Sequence, residues 1–178
     1  MAETFSIVFG PDALSRILKR MAHEIAERNH DPSEVVLVGI QRGGVGAAAR
    51  LGSLLSQIWE VTVPTGTIDV SMHRDDLDQN GAREMHPTTI PVDINSKTVV
   101  LIDDVLCSGR TVRAAMDSLA DLGRPNSIQL AVLVDRGQRE LPIHPDFVGK
   151  TIKTGPNERV RVSLKEDGGD DTVGLEKA

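Results

Sequence analysis

The sequence predicts an α/β fold: a mainly parallel, twisted sheet with helices on both faces. Three short segments are almost continuously apolar, as is typical of parallel strands that are buried on both faces. Helical patterns alternate with these segments, and this alternation indicates βαβ units with parallel strands. The three segments are EVVLVGI at 34–40, TVVLID at 98–103 and IQLAVLV at 128–134.

Three helices are predicted from apolar residues that recur at three- and four-residue steps. Pro11 suits the first turn of the first helix, and Gly123 ends the third. The second helix is rich in Ala and Leu and follows the turn QRGG at 41–44. The predicted helices span 11–28, 45–58 and 111–122.

The remaining segments have weaker patterns. Residues 73–95 are polar without a clear period, and we expect a flexible lid loop there. The tail, 165–178, is acidic and contains a glycine pair, so we expect it to be frayed. With 178 residues, the chain 1–178 is expected to be a single domain. Weaker strand patterns lie at 66–72, 149–153 and 159–164.

Composition argues against several classes of protein. No apolar run approaches the length of a membrane span, and the N-terminal residues lack the features of a secretory signal. The single cysteine, Cys107, excludes an internal disulfide framework, so a cytoplasmic location is expected. The formal net charge of −6 gives the chain as a whole no electrostatic footprint for nucleic acid.

The segment VVLIDDVLCSGRT at 99–111 brings two adjacent carboxylates, Asp103 and Asp104, to the end of a buried strand. One Asp would suit a helix cap, but two adjacent charges repel unless a cation or sugar hydroxyls use them. The following loop adds hydroxyls, backbone N–H groups and a helix N-terminus, which together attract a phosphate. Because ligands bind at the carboxyl ends of parallel strands, the segment predicts a sugar-phosphate site.

This segment resembles the phosphoribosyl-pyrophosphate (PRPP) motif of type I phosphoribosyltransferases. More closely, DDVLCSGRTVRAAMDSLADLGRP followed by IQLAVLVDRGQRELPI resembles the PyrR family, RNA-binding attenuation proteins with uracil phosphoribosyltransferase activity. The blocks AHEIAERN, VGIQRGG, HRDDL, IPVDI and DFVGK extend the likeness over nearly the whole chain. The resemblance implies the type I phosphoribosyltransferase fold, with a small hood and a flexible lid loop.

The resemblance also implies a role for each part of the site. Asp103 and Asp104 would bind the ribose hydroxyls and help to place Mg²⁺, partly through PRPP. Arg74, in the lid, would reach the substrate phosphates. Residues 107–111, the phosphate loop, would hold the 5′-phosphate, and the turn at 41–43 would contact pyrophosphate. The residues implied to bind PRPP are Val105, Leu106, Cys107, Ser108, Gly109, Arg110, Thr111, Gln41, Arg42 and Gly43.

The base site is implied to lie where the third apolar strand ends, in a segment that we call the base loop, residues 134–137. Backbone groups would recognise uracil there. Without the resemblance, an Asp–Arg pair at this point is more typical of a surface salt bridge. The turn at 41–44 is equally consistent with a plain strand-to-helix connection, and its arginine stands one position earlier than is usual in the family. The residues implied to bind the base are Val134, Asp135 and Arg136.

Basic residues lie on the first helix opposite its apolar stripe. Charge alone favours a solvated helix face, whereas the resemblance implies a surface that binds a leader mRNA hairpin. Gln138 stands where histidine is usual and His144 where arginine is common, so positive charge is lost at both positions. The residues implied to bind RNA are Lys19, Arg20, His23, Arg28, Arg139 and Lys150.

The leading hypothesis is therefore a uracil phosphoribosyltransferase that makes UMP and diphosphate with Mg²⁺, and that also regulates pyrimidine operon expression as a UMP-dependent RNA-binding protein. One alternative is an RNA-binding nucleotide sensor with vestigial activity. Another is a phosphoribosyltransferase for a different base, such as a purine. The expected partners are PRPP, uracil, UMP, a leader mRNA hairpin and further copies of the chain in a homodimer or higher homo-oligomer, with no membrane.

Overall fold

The structure is a computed structural model and describes residues 5–71, 86–155 and 157–177. Its three α-helices each lie between strands, as predicted. In chain order they are β1 (Phe5–Phe9), α1 (Pro11–Arg28), β2 (Val35–Ile40), α2 (Gly44–Trp59), β3 (Thr65–Ile68), β4 (Thr98–Leu106), α3 (Arg110–Leu122), β5 (Ser127–Asp135), β6 (Phe147–Thr151), β7 (Glu158–Ser163) and β8 (Thr172–Lys177).

The centre of the fold is a five-stranded sheet with the order β3-β2-β4-β5-β6, and all of its pairings are parallel. This arrangement confirms the predicted α/β class. Strand β4 is longer than predicted, because its pairing with β5 continues as far as Leu106 and Asp135. The adjacent carboxylates Asp103 and Asp104 therefore lie within the last part of the strand rather than after it.

Hydrophobic layers cover both faces of this sheet. The alternating side chains of β4 divide between the layers: Val100 and Ile102 pack on the side of α1 and α2, whereas Val99 and Leu101 pack on the side of α3. All four are at most 1% exposed, as expected for a central parallel strand. Within the part of the chain that the structure describes, no helix is both long and apolar enough to span a membrane.

A second, antiparallel sheet with the order β1-β8-β7 forms the hood. Its central strand, β8, belongs to the acidic tail, so the prediction of a frayed tail is wrong for this segment. The tail is ordered because its apolar side chains pack on the core, where Val173 is fully buried. Two of its acidic side chains share one partner: Arg50 of α2 pairs with both Glu166 and Asp171 at 2.5 Å.

The second half of the predicted lid is also packed. Residues 73–85 of the predicted lid lie outside the described residues, but residues 86–95 run beside β3. Thr89 and Thr67 exchange two backbone hydrogen bonds of 2.8 and 2.9 Å, and Ile94 is only 2% exposed. Residues 86–95 therefore contact β3 and, through Ile90 and Ile94, the core, although most of their side chains are exposed. The flexibility of the lid stays a prediction.

Candidate active site

A cavity of about 420 Å³ opens where β2, β3 and β4 end. Parallel strands end at the same edge of a sheet, so three polar strand ends meet there. Seven of the predicted site residues line this cavity: Gln41, Arg42, Gly43, Asp103, Asp104, Val105 and Thr111. A smaller cavity of about 50 Å³ lies beside it and is lined by the phosphate loop.

The carboxylate pair, Asp103 and Asp104, lies at the boundary between the core and the larger cavity. Asp103 is 6% exposed, and its carboxylate accepts the backbone N–H of Asp104 at 3.0 Å. The Asp104 carboxylate accepts the backbone N–H of Val105 at 2.7 Å. Burial raises the pKa of the Asp104 carboxyl above its usual range, and the negative charge of Asp167 in the hood adds to this rise. A cation or hydroxyl donors in the cavity would favour the charged form.

The turn after β2 lies directly against β4. A Cβ atom on Gly43 would overlap the Asp104 carboxyl group, and a Cβ atom on Gly44 would overlap the carbonyl oxygen of Ile102. The two glycines therefore allow the turn to approach the carboxylate pair. The peptide bond between Gln41 and Arg42 is cis, and the Arg42 side chain is exposed. A ligand in the cavity would thus contact this turn and the end of β4 together.

The phosphate loop connects β4 to α3. Gly109 has a φ of +93°, which the loop requires for the sharp turn into the helix at Arg110. The carbonyl oxygen of Ser108 accepts the backbone N–H groups of Glu140 and Leu141 at 3.0 and 3.1 Å. The Arg110 side chain donates to Glu140 at 2.7 Å and so binds a neighbouring loop. The Arg110 N–H donates to the Ser108 hydroxyl at 3.4 Å, and hydroxyls and N–H groups such as those of this loop are the usual donors to a bound anion.

The base loop begins with the last two residues of β5. It lies next to the phosphate loop, since the Arg136 N–H donates at 3.0 Å to the carbonyl of Leu106, the last residue of β4. Val134 is fully buried in the core, so its side chain does not reach a ligand. Burial alone would raise the pKa of Asp135, but hydrogen bonds from Arg139 and from the Gly137 N–H lower it below its usual range. Asp135 is thus a charged residue that orders its own loop.

Five of the six predicted RNA-binding residues are exposed, four on α1 and one on the edge strand β6, and we call this region the α1–β6 surface. Lys19 also lines a groove with Arg50 of α2 and Glu166. On this surface, the Arg20 guanidinium donates to the carbonyl oxygens of Val148 and Gly149 at 3.0 and 2.6 Å, and so fixes α1 to β6. The five residues are Lys19, Arg20, His23, Arg28 and Lys150.

This α1–β6 surface is only partly basic. Arg20 pairs with Glu24 at 2.5 Å, and Arg28 pairs with Asp146 at 2.8 Å. The sixth predicted residue, Arg139, is directed elsewhere: its guanidinium binds acceptors in the phosphate and base loops. Lys19 and Lys150 are therefore the members of the set best placed to meet an anionic ligand.

Sequence reasoning missed several residues of the larger cavity, among them Asp69, Ser71 and His86. Burial alone would raise the pKa of Asp69, but hydrogen bonds from Ser71 and from the backbone N–H of His86 lower it. The His86 Nε2 atom is buried and has no hydrogen-bond partner within the described ranges. Asp69 and Ser71 could have been identified from the rule that ligands bind at the carboxyl ends of parallel strands. No feature of the sequence around His86 indicates a site. Arg74 lies outside the described residues.

Comparisons with known proteins agree with this geometry. The family described as "Phosphoribosyl transferase domain" matches residues 12–167. A protein named "Bifunctional protein PyrR" from Roseiflexus sp. (strain RS-1) is 52% identical over 168 residues, which cover 93% of this chain and 92% of that protein. The protein of the same name from Streptomyces coelicolor is 52% identical over 172 residues, which cover 96% of this chain and 89% of that protein.

Solved structures share the fold at lower identity. A hypoxanthine-guanine phosphoribosyltransferase from Bacillus anthracis superposes with a TM-score of 0.74 at 19% identity and covers 98% of both chains. A hypoxanthine phosphoribosyltransferase from Trypanosoma cruzi superposes with a TM-score of 0.73 at 20% identity and covers 97% of this chain and 96% of that one. At this identity the likeness establishes the fold alone.

Proposed function

The chain belongs to the phosphoribosyltransferase family, and within it to the PyrR family, and on this basis we propose that it makes UMP and diphosphate from uracil and PRPP. The observation that carries this proposal is the carboxylate pair beside the phosphate loop. A polyhydroxylated ribose and its 5′-phosphate lie only a few ångströms apart in PRPP, and these two features lie side by side at the end of β4.

In the proposed reaction, the bond from ribose C1 to pyrophosphate breaks and a bond from C1 to uracil N1 forms, while the N1 proton of uracil passes to solvent and the departing pyrophosphate keeps the bonding electron pair. Positive charge develops at C1 as pyrophosphate leaves. Asp103 and Asp104 stabilise this charge from fixed positions, so they are not reoriented during the reaction. The phosphate loop holds the 5′-phosphate and thereby keeps C1 in line with the incoming base.

The proposed pyrophosphate contacts come from Gln41, Arg42 and Gly43. The glycine lets the backbone approach the leaving group, and the guanidinium of Arg42 is a planar donor for phosphate oxygens. Arg74 is proposed to add a second positive charge over the substrate. Positive charge at both positions stabilises the departing diphosphate.

The residues present suit Mg²⁺. Proteins commonly hold this ion through one or two carboxylates together with substrate phosphates, and Asp103 and Asp104 provide two adjacent carboxylates at the cavity wall. Burial raises the pKa of Asp104, and no positive side chain among the described residues is a cause that opposes this rise, so a bound cation would favour the charged form. When bound with PRPP, the ion would neutralise charge on the pyrophosphate.

The base specificity is tested by a PRPP- and Mg²⁺-dependent assay with uracil, orotate, hypoxanthine and adenine. We expect kcat/KM for uracil to exceed the others by about two orders of magnitude or more, because a wrong base leaves hydrogen-bonding groups of the site unpaired. A preference for hypoxanthine or adenine would reassign the enzyme to purines. Turnover of none of the four bases, with UMP still bound, would leave a nucleotide sensor with vestigial activity.

We also propose that the protein regulates pyrimidine operon expression by binding a leader mRNA hairpin, with UMP as the signal. The support is the likeness to relatives named bifunctional, together with the exposed basic residues of the α1–β6 surface. None of these residues lines the larger cavity, so RNA and nucleotide are expected to bind at the same time. We expect the protein to act in the cytoplasm as a homodimer or higher homo-oligomer.

RNA binding is tested by titrating the leader hairpin at two salt concentrations, with and without UMP. The double variant Lys19→Ala, Lys150→Ala should reduce the slope of log affinity against log salt by about 1.5, since each lost phosphate contact removes about 0.7–0.9. Arg113→Ala, on the opposite face of the sheet, is the control and should change neither affinity nor slope. If UMP strengthens RNA binding, RNA must strengthen UMP binding by the same factor.

A scrambled hairpin is the specificity control for this proposal. If the wild-type protein binds the scrambled and leader hairpins equally under every condition, the regulatory role is wrong. Uracil transfer should be the same in the double variant and in the wild type, because neither lysine lines the cavity.

A further inference from the structure

Arg139 lies between the two loops that form the active site. Its Nη1 atom donates to the carbonyl oxygen of Cys107 in the phosphate loop at 3.0 Å and to that of Gly137 in the base loop at 3.2 Å. Its Nη2 atom donates to the Asp135 carboxylate at 2.7 Å, and its Nε atom donates to the Ile143 carbonyl at 2.9 Å. One side chain therefore holds acceptors from both loops.

Most of these acceptors are backbone carbonyls, so the contacts fix the paths of the loops themselves. The side chain of Arg139 is 22% exposed and that of its ion-pair partner Asp135 is 16% exposed, and water competes less for such contacts than at an open surface. A guanidinium presents its donors in a rigid plane, whereas the ammonium of lysine is a single point charge. Lysine could replace one of these contacts but could not span all four acceptors.

We propose that Arg139 is a positioning residue of the transferase site, which fixes the spacing between the phosphate loop and the base loop so that one nucleotide spans both. This inference rests on the function proposed above, because that function places the 5′-phosphate in one loop and the base in the other. The proposal also gives Arg139 a different role from the one that the sequence resemblance implies, which is RNA binding.

A fixed spacing affects ligands according to how many loops they touch. A nucleotide such as UMP engages both loops, and its affinity includes the benefit of two sites already held at the right distance. Ribose 5-phosphate engages the phosphate loop without the base loop, and uridine engages the base loop without the 5′-phosphate. Loss of Arg139 should therefore weaken UMP far more than either fragment.

The test is isothermal titration of UMP, ribose 5-phosphate and uridine into the wild type, Arg139→Gln and Arg139→Lys. We expect both variants to lose roughly ten-fold or more in UMP affinity and less than about three-fold for each fragment, as for a loss of pre-organisation. Lysine at position 139 should not restore UMP affinity, because it lacks the planar set of donors. Arg161→Gln, an exposed arginine of β7 in the hood, is the matched control and should behave like the wild type.

Thermal melting and RNA titration of the same variants separate this role from two others. Equal losses for all three ligands, with a lower Tm, would make Arg139 a purely structural residue and overturn the proposal. Unchanged UMP affinity with weaker hairpin binding would also overturn it and return Arg139 to the RNA surface.

IMP is titrated in parallel to separate this inference from the proposed base specificity. A wild type that binds IMP but not UMP would contradict the uracil assignment. In that case IMP takes the place of UMP in the test of Arg139. The Arg139 variants should then lose more affinity for IMP than for ribose 5-phosphate.

Discussion

Replacing Asp104 by asparagine is expected to lower kcat/KM for UMP synthesis by roughly 10²- to 10³-fold, the loss typical of one pre-organised electrostatic group. Asparagine has nearly the same volume but no charge, so the positive centre at C1 and the bound cation both lose a partner. Steady-state kinetics with saturating Mg²⁺ measures this effect. Asp117→Asn, on the exposed side of α3, is the control and should keep wild-type kinetics.

The same variant is expected to be at least as stable as the wild type at neutral pH. Burial raises the pKa of Asp104 in the folded protein above its value in the unfolded chain. A carboxyl group with a raised pKa contributes stability below its unfolded pKa and loses this contribution as the pH rises through its folded pKa. The ionised carboxylate therefore destabilises the ligand-free protein at neutral pH, and asparagine removes that cost.

Thermal melts of both proteins between acidic and neutral pH measure this difference. The Tm of Asp104→Asn relative to the wild type should rise as the pH increases. Kinetics close to wild type would contradict the catalytic role. A Tm far below wild type at neutral pH would instead mean that the Asp104 charge stabilises the fold.

Gly43→Ala is expected to reduce kcat/KM by a similar factor, although residue 43 contributes no side chain to the reaction. The added methyl group would occupy the space of the Asp104 carboxyl group, so either that side chain or the turn must move. Catalytic groups act only from well-defined positions, and small displacements are costly. Gly10→Ala is the matched control, because a Cβ atom at Gly10 meets no atom within 4 Å.

The double variant Gly43→Ala, Asp104→Asn distinguishes displacement of the carboxylate from other damage. If the alanine acts by displacing Asp104, the double variant should be about as active as the worse single variant. Multiplied losses would show that Gly43→Ala acts independently, through the pyrophosphate contact.

Much of the fold could be predicted from the sequence because its central strands are buried on both faces. Such strands are apolar throughout, and the sequence pattern located β2, β4 and β5 to within a few residues. In the hood, a weak pattern at 159–164 predicted β7, but the other two strands could not be found in the same way. Strand β1 is largely exposed, and β8 consists of short apolar residues among charges, so neither has the pattern of a buried strand.

The site shows the same division between local and long-range information. The carboxylate pair and the phosphate loop are contiguous in sequence, and the structure places both at the cavity. The bonds of Arg139 to Cys107 and of Arg50 to Glu166 join residues far apart in the chain. Charge patterns on a single helix or loop cannot reveal such pairs, because the acceptors are backbone carbonyls or distant carboxylates.

The topology of the hood has a consequence for synthesis on the ribosome. Among the strands that the structure describes, β1 pairs only with β8, the first of these strands with the last. The five-stranded sheet is complete once β6 has emerged, but β1 must wait for the rest of the chain to be translated. Phe5 and Ile7, which are 42% and 62% exposed even in the finished fold, are then next to an open strand edge. The nascent chain therefore carries an unpaired apolar strand through most of its translation.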